Sequence, residues 1–166
     1  MENVKNLIIM GGSTENGNIT PYAEFNFYKD PDAAKIVFES DFNEIIMMGL
    51  NVTSKLVLNN KLETILKESD NPLANFLFEI TRQGANFDRN CGFDGLLIHD
   101  PITISYLIDP SVLKLETAKI QIETEGEKMG QSSIRYTPIS NCKVACDVDV
   151  EKFYKLIFKR ILNIDI

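Results

Sequence analysis

The chain has 166 residues, with 17 Lys and Arg against 24 Asp and Glu, a formal charge of -7, and 44% of its residues are apolar. This is an ordinary globular composition that excludes collagen-like and disordered classes, and a folded chain of this length buries roughly 70% of its unfolded surface, enough for one core. The acidic balance argues against a protein living on nucleic-acid phosphates or an anionic membrane surface, which need clustered Lys and Arg, and no stretch approaches the ~20 consecutive apolar residues of a membrane span.

Residues 4–10 (VKNLIIM) form a short β-branched run that stops at Gly11-Gly12, the pattern of a buried strand entering a turn. A loop rich in Gly, Asn, Ser and Thr follows over residues 11–20. Asp30-Pro31-Asp32 supplies a cap, a proline at the first helical position and an acid in the first turn. It predicts a helix over residues 31–40 with Ala34, Val37 and Phe38 on one face. Residues 44–50 (EIIMMGL) read as a second buried strand, so the order strand, loop, helix, strand predicts a parallel pair. Helical segments at residues 61–68 and 72–86 come next, then a loop containing Gly, Asn and Asp over residues 84–95. Asp100-Pro101 repeats the cap-plus-proline device and opens a helix over 101–107, which Asp109-Pro110 ends.

Beyond that point the period changes. Residues 113–124, 132–136 and 143–147 read as strands separated by Gly, Pro and Asn turns. Residues 151–162 form a closing amphipathic helix with Phe153, Leu156, Ile157, Ile161 and Leu162 inward. The fold class is α/β: a partial, open, mostly parallel sheet flanked by helices, with extra strands near the C-terminus. Residues 1–166 read as a single domain, without repeats or linkers. The N-terminus lacks a signal peptide's basic start and cleavage site, so a cytoplasmic location is expected. Cys91, Cys142 and Cys146 then read as reduced thiols, and no second Cys or His pair completes a zinc site around Cys142 and Cys146.

Two segments carry the chemistry. In Met10 and the loop after it, MGGSTENGNITPYAEFN sets Asn18, Glu24 and Asn26 close behind a buried strand. Two carboxamides and a carboxylate can pair with the vicinal hydroxyls of a sugar. The same residue types also cap turns and helices. In LIHDP the only histidine, His99, stands beside Asp100 at a helix start. Asp100 there is either a helix cap worth about 1 kcal/mol or half of a catalytic or metal-binding pair. A hydrolase dyad with a serine or cysteine nucleophile finds no support, because no G-x-S-x-G elbow is present.

Taken in order, MGG, GNITPYAEFN, DPDAAKIVFES, MMGLNVT, IHDPITISYLIDPS and IETEG resemble the inosine-uridine preferring nucleoside hydrolase family over essentially all 166 residues. The GN-x5-E-x-N spacing and the HDP element are the specific parts. The resemblance implies hydrolysis of the N-glycosidic bond of ribonucleosides to ribose and free base, through an oxocarbenium-like transition state, with a bound calcium. It implies that Asn18, Glu24 and Asn26 hold ribose hydroxyls, with Met10 lining the sugar pocket. Asp100 matches a calcium ligand, and His99 the residue placed to protonate the departing base. Phe87 and Phe93 are candidates for stacking on the base or for core packing.

The resemblance also implies what the chain lacks. The family's N-terminal D-x-D-x-G-x-D-D motif supplies most calcium ligands and the base that deprotonates water. None of Asp30-Pro31-Asp32, Glu68-Ser69-Asp70, Asp88, Asp94, Asp109 or Asp147-Val148-Asp149 has that spacing. The chain therefore corresponds to the C-terminal half of such a hydrolase. It is expected to bind calcium weakly and to be inactive alone, with a complementing N-terminal half or a second copy as partner. The alternative reading is a non-catalytic nucleoside-binding or oligomerising module.

Overall fold

A computed structural model of the chain describes Val4 and residues 6–166; Lys5, inside the first predicted strand, lies outside the described residues. Asn6–Met10 (β1) and Glu44–Met48 (β2) carry branched and long apolar side chains that suit a pleated surface. They pair in parallel, with Asn6 opposite Glu44 and Met10 opposite Met48. Ile45 and Met47 face one side of the sheet, Ile46 and Met48 the other, and all four are buried. A strand buried on both faces reads as an unbroken apolar run, which is why EIIMM shows no alternation.

β2 pairs in parallel with Cys142–Val148 (β7). Leu113–Ile122 (β5) lies antiparallel to β7, and Ser132–Tyr136 (β6) lies antiparallel to β5. The spatial order is β1-β2-β7-β5-β6. Four of the five strands therefore run one way and β5 alone opposes them, in agreement with a mostly parallel α/β sheet.

Phe25–Lys29 (α1) and Pro31–Phe38 (α2) cover one face, where Phe27 and Phe38 meet edge to face with ring centres 5.7 Å apart. The opposite face carries Leu50–Thr53 (α3), Asn60–Glu68 (α4), Pro72–Asn90 (α5), Pro101–Ile108 (α6) and Val150–Ile157 (α7). Their apolar side chains close over Ile46, Met48 and Ala145, with Phe153 fully buried among them. Among the described residues β1 pairs on one side only, so it is an open edge of the sheet. Beside that edge, α6 exposes Ile104, Leu107 and Ile108.

Several expectations are corrected. The short helix α1 begins inside the stretch through Asn26 that reads as loop, because five residues are too few for an apolar period to show. A two-stranded antiparallel ribbon, Val57–Asn59 (β3) with Gly95–Leu97 (β4), was not foreseen. Residues 84–90 belong to α5 rather than to a loop. Gly84 lies inside that 19-residue helix, which absorbs the roughly 1 kcal/mol that one glycine costs. The closing helix ends at Ile157 and continues as a π-helical turn, Phe158–Leu162. The wider turn rotates Ile161 outward to 52% exposure while Tyr154 and Phe158 are buried.

Candidate functional site

β1 ends at Met10, and the chain then turns through Gly11 and Gly12. Gly12 has φ +67, and a Cβ there would stand 2.6 Å from the Phe27 ring and 2.9 Å from the Met47 methyl. Only glycine meets both the left-handed backbone and the close approach. The turn aims the Gly12 N–H at Glu24, whose Oε2 accepts it at 2.9 Å. Glu24 is also the cap of α1: Oε1 accepts from the Asn26 N–H at 2.8 Å and Oε2 from the Phe27 N–H at 3.2 Å. With 3% exposure the carboxylate is held by three backbone donors. A carboxylate offers about four acceptor positions, so one remains for an outside hydroxyl.

Asn18 Oδ1 accepts from the Phe25 N–H at 2.9 Å, and Asn26 Nδ2 donates to Met10 Sδ at 3.5 Å. Asn18 thus serves the backbone while the Asn26 side chain does not, and both asparagines are exposed, which leaves amide hydrogens open to a ligand.

His99 follows β4. The strand is tied to the tail of α5 by Asp88, whose Oδ2 accepts the Leu97 N–H at 2.9 Å. The imidazole Nδ1 lies 2.8 Å from Oγ1 of the buried Thr53, at the end of α3. Burial holds the His99 pKa below its ordinary 6.5, against the opposing pull of Asp100, Asp88 and Glu24. The imidazole is therefore neutral at neutral pH. Between this depressed folded pKa and 6.5 the unfolded chain binds more protons, so stability present above pH 6.5 is lost as pH falls through that window. Urea midpoints at pH 7.5 and 5.5 are expected to fall more in the natural chain than in His99→Gln; equal falls would assign the loss to other groups.

Asp100 does not cap α6. Its backbone is already helical, with φ -69 and ψ -36, and its side chain makes no capping bond. The cap reading of this residue is overturned: a side chain starting from helical geometry does not reach the N–H groups of the first turn. The exposed carboxylate is left to other ligands.

Met10, Asn18, Glu24, Asn26, His99 and Asp100 all line one cavity of about 620 Å³. It opens beyond the carboxyl ends of β1 and β4, where α/β sheets hold their ligands. Its polar lining comes from Asn18, Glu24, Asn26, His99 and Asp100, and most of the rest is apolar side chains such as Leu58, Leu96 and Phe153. Phe87 and Phe93 are not core residues, with 68% and 40% exposure, and neither lines the cavity; Phe25, hidden between two polar neighbours in the sequence, does. Sequence reasoning misses Thr53 and Asp88 as well: Thr53 meets a residue 46 positions away, and Asp88 reaches Leu97 only because of where α5 ends.

Calcium takes 6–8 oxygen ligands. Among the described residues no group of three or more Asp, Glu, His or Cys side chains could hold a metal. Asp100 contributes one carboxylate, and these residues alone do not fit a calcium cage. The three cysteines are free thiols, and no helix among the described residues is long and apolar enough to cross a membrane.

An open, mostly parallel α/β sheet with a cavity beyond its strand ends, apolar within and carrying a few carboxamide and carboxylate groups, has the form of a small-molecule site. The profile of the inosine-uridine preferring nucleoside hydrolases matches residues 1–155, and the chain belongs to that family. It is 37% identical to a pyrimidine-specific ribonucleoside hydrolase of Photobacterium profundum, over 96% of this chain and 54% of that protein. It is 34% identical to a probable ribonucleoside hydrolase of Dictyostelium discoideum, over 93% of this chain and 49% of that one. Among solved structures, the purine-preferring ribonucleoside hydrolase from Gardnerella vaginalis superposes with a TM-score of 0.86 at 28% identity, covering 95% of this chain and 52% of that one. A plant nucleoside hydrolase gives 0.85 at 30% identity, covering 93% and 52%. The chain spans about half the length of the relatives it matches.

Proposed function

We propose that this chain forms the sugar-binding and leaving-group side of a ribonucleoside hydrolase. The supporting observation is the convergence of Met10, Asn18, Glu24, Asn26, His99 and Asp100 on one cavity, although residues 10–26 and 99–100 are far apart in sequence. The reaction breaks the C1′–N bond, with its electron pair leaving on the base. Water oxygen joins C1′, one of its protons is lost to a base, and the departing base gains one.

In this reading the free amide hydrogens of Asn18 and Asn26 and the remaining acceptor position of Glu24 bind the ribose hydroxyls. They anchor the part of the substrate that does not react. His99 donates a hydrogen bond from its neutral ring to the departing base and so stabilises the charge developing there, the proton that the base keeps being drawn from solvent, and Asp100 would offer one carboxylate to a calcium whose other ligands would come from the remainder of the family domain. Activation of water belongs to that remainder, because this chain's cavity carries no second free carboxylate beside Asp100 and the tethered Glu24. The chain's partner is the remainder of the domain, docking on the open edge of β1 and on Ile104, Leu107 and Ile108 of α6. An unpaired apolar strand edge is a liability until covered. The working location is the cytoplasm.

The test joins the chain with the part of the Photobacterium profundum hydrolase that it does not span, as two purified polypeptides with calcium. Ribose release from inosine and uridine is expected from the mixture and not from the chain alone, and calorimetry is expected to show no tight calcium binding by the chain alone. Association without turnover counts against the catalytic reading and favours an interaction module. Turnover by the chain alone overturns the division of roles.

A further inference from the structure

We propose that Thr53 is a positioning residue for His99: it donates its hydroxyl hydrogen to Nδ1 and so holds the imidazole as the Nε2–H tautomer. The functional meaning rests on the reading of the cavity given above, but the tautomer does not.

Thr53 is completely buried, and the only hydrogen bond of its hydroxyl among the described residues is the 2.8 Å contact with His99 Nδ1. A hydroxyl has a single hydrogen, and a neutral imidazole has one donor and one acceptor nitrogen. If Nδ1 carried the proton and donated to Oγ1, the threonine hydrogen would be buried without an acceptor. If Thr53 donates instead, both groups are satisfied, and the ring hydrogen must sit on Nε2. For any neutral ring these are the only two arrangements. Nε2 has no protein partner among the described residues, and His99 lines the cavity. The tautomer therefore presents a donor to whatever occupies that space.

Both ends of this contact are fixed by backbone. The Thr53 N–H donates to Gly49 O at 3.1 Å, and the Leu56 N–H donates to Thr53 O at 3.0 Å. On the other side the Ile98 N–H donates to Leu56 O at 2.9 Å, which ties the residue before His99 to the same turn. The hydroxyl and the ring are therefore held face to face before any ligand arrives. Such an arrangement keeps the donor aimed at little entropic cost on binding. The MMGLNVT segment, otherwise unremarkable in chemistry, thereby gains a role.

The chain has a single histidine, so one 15N-labelled imidazole can be read without assignment, at pH 8 where it is neutral. The natural chain and Thr53→Ser are expected to show the Nε2–H pattern, and Thr53→Val a mixture of both tautomers. In the completed enzyme Thr53→Val is expected to lower kcat for natural nucleosides on the order of tenfold, with KM little changed and Thr53→Ser restoring the rate. An Nδ1–H pattern in the natural chain overturns the proposal, as does an unaltered spectrum in a folded Thr53→Val. Should Thr53→Val not fold, the natural chain decides alone, Nε2–H supporting the proposal and Nδ1–H overturning it. An inactive assembly that still shows the tautomer shift would count against the catalytic reading and leave the Thr53 proposal standing.

Discussion

In the completed enzyme, His99→Ala is expected to slow hydrolysis of inosine and uridine by about 10²–10⁴-fold, the range of a positioned donor. A riboside bearing a nitrophenolate leaving group is expected to lose far less, because nitrophenolate departs without protonation. The contrast isolates the departing group from everything else the residue does. The ring lines the cavity and is half-buried against Thr53, so its removal also leaves a hole. That hole affects both substrates alike. Comparable losses on the two would remove His99 from the donor role and leave it a packing residue.

How much of this was legible in the sequence depends on how local the cause was. β2 was readable because a strand buried on both faces shows as five consecutive apolar-rich positions, and α2 because Asp30-Pro31 announces its start and the Asp30 side chain accepts from the Ala33 N–H. Where the same device recurs at Asp100-Pro101 the helix was correct and the cap was not. Proline alone favours the start of a helix, whatever the preceding side chain does. Gly84 misleads in the other direction, since one glycine costs a long helix only about 1 kcal/mol and does not end it. The rim residues were found through a family likeness carried by spacing. What the likeness could not supply was their support. The 2.8 Å contact between Thr53 and His99 spans 46 residues, and the Asp88 bond to β4 depends on where a 19-residue helix ends.

The open edge follows from the same distinction. Val4 and residues 6–10 look like an ordinary buried strand in isolation, and nothing local reveals that β1 has one neighbour instead of two. Burial of its side chains is only partial, with Leu7, Ile8, Ile9 and Met10 intermediate while the corresponding residues of β2 are covered. A strand with a central composition at an edge position is what half of a larger sheet looks like. The edge and the cavity adjoin, because Met10 ends that strand and lines the cavity. On the proposed reading, a partner that pairs with β1 would arrive directly beside the rim of that cavity.

Glu24→Ala is expected to destabilise the chain by about 3 kcal/mol, since hydrogen bonds to charged groups contribute about 1.5–3 kcal/mol and buried donors left unpaired are costly. The carboxylate links Gly12, Asn26 and Phe27 through three backbone N–H groups, so its loss frees the turn after β1 from the first turn of α1 together. Glu24→Gln should cost about half as much. Its oxygen can serve the two donors that Oε2 serves, but its NH₂ then confronts the Asn26 N–H. Urea unfolding of the two variants gives the ordering, and equal stability of the natural chain and Glu24→Ala would show that water replaces the carboxylate at no cost. Activity lost in Glu24→Ala is consequently ambiguous, because the rim itself loosens. Asn26→Ala separates the two effects: its exposed amide meets only the Met10 sulfur, so stability should change by less than about 0.5 kcal/mol. In the completed enzyme that variant is expected to bind ribosides more weakly while its fold is retained.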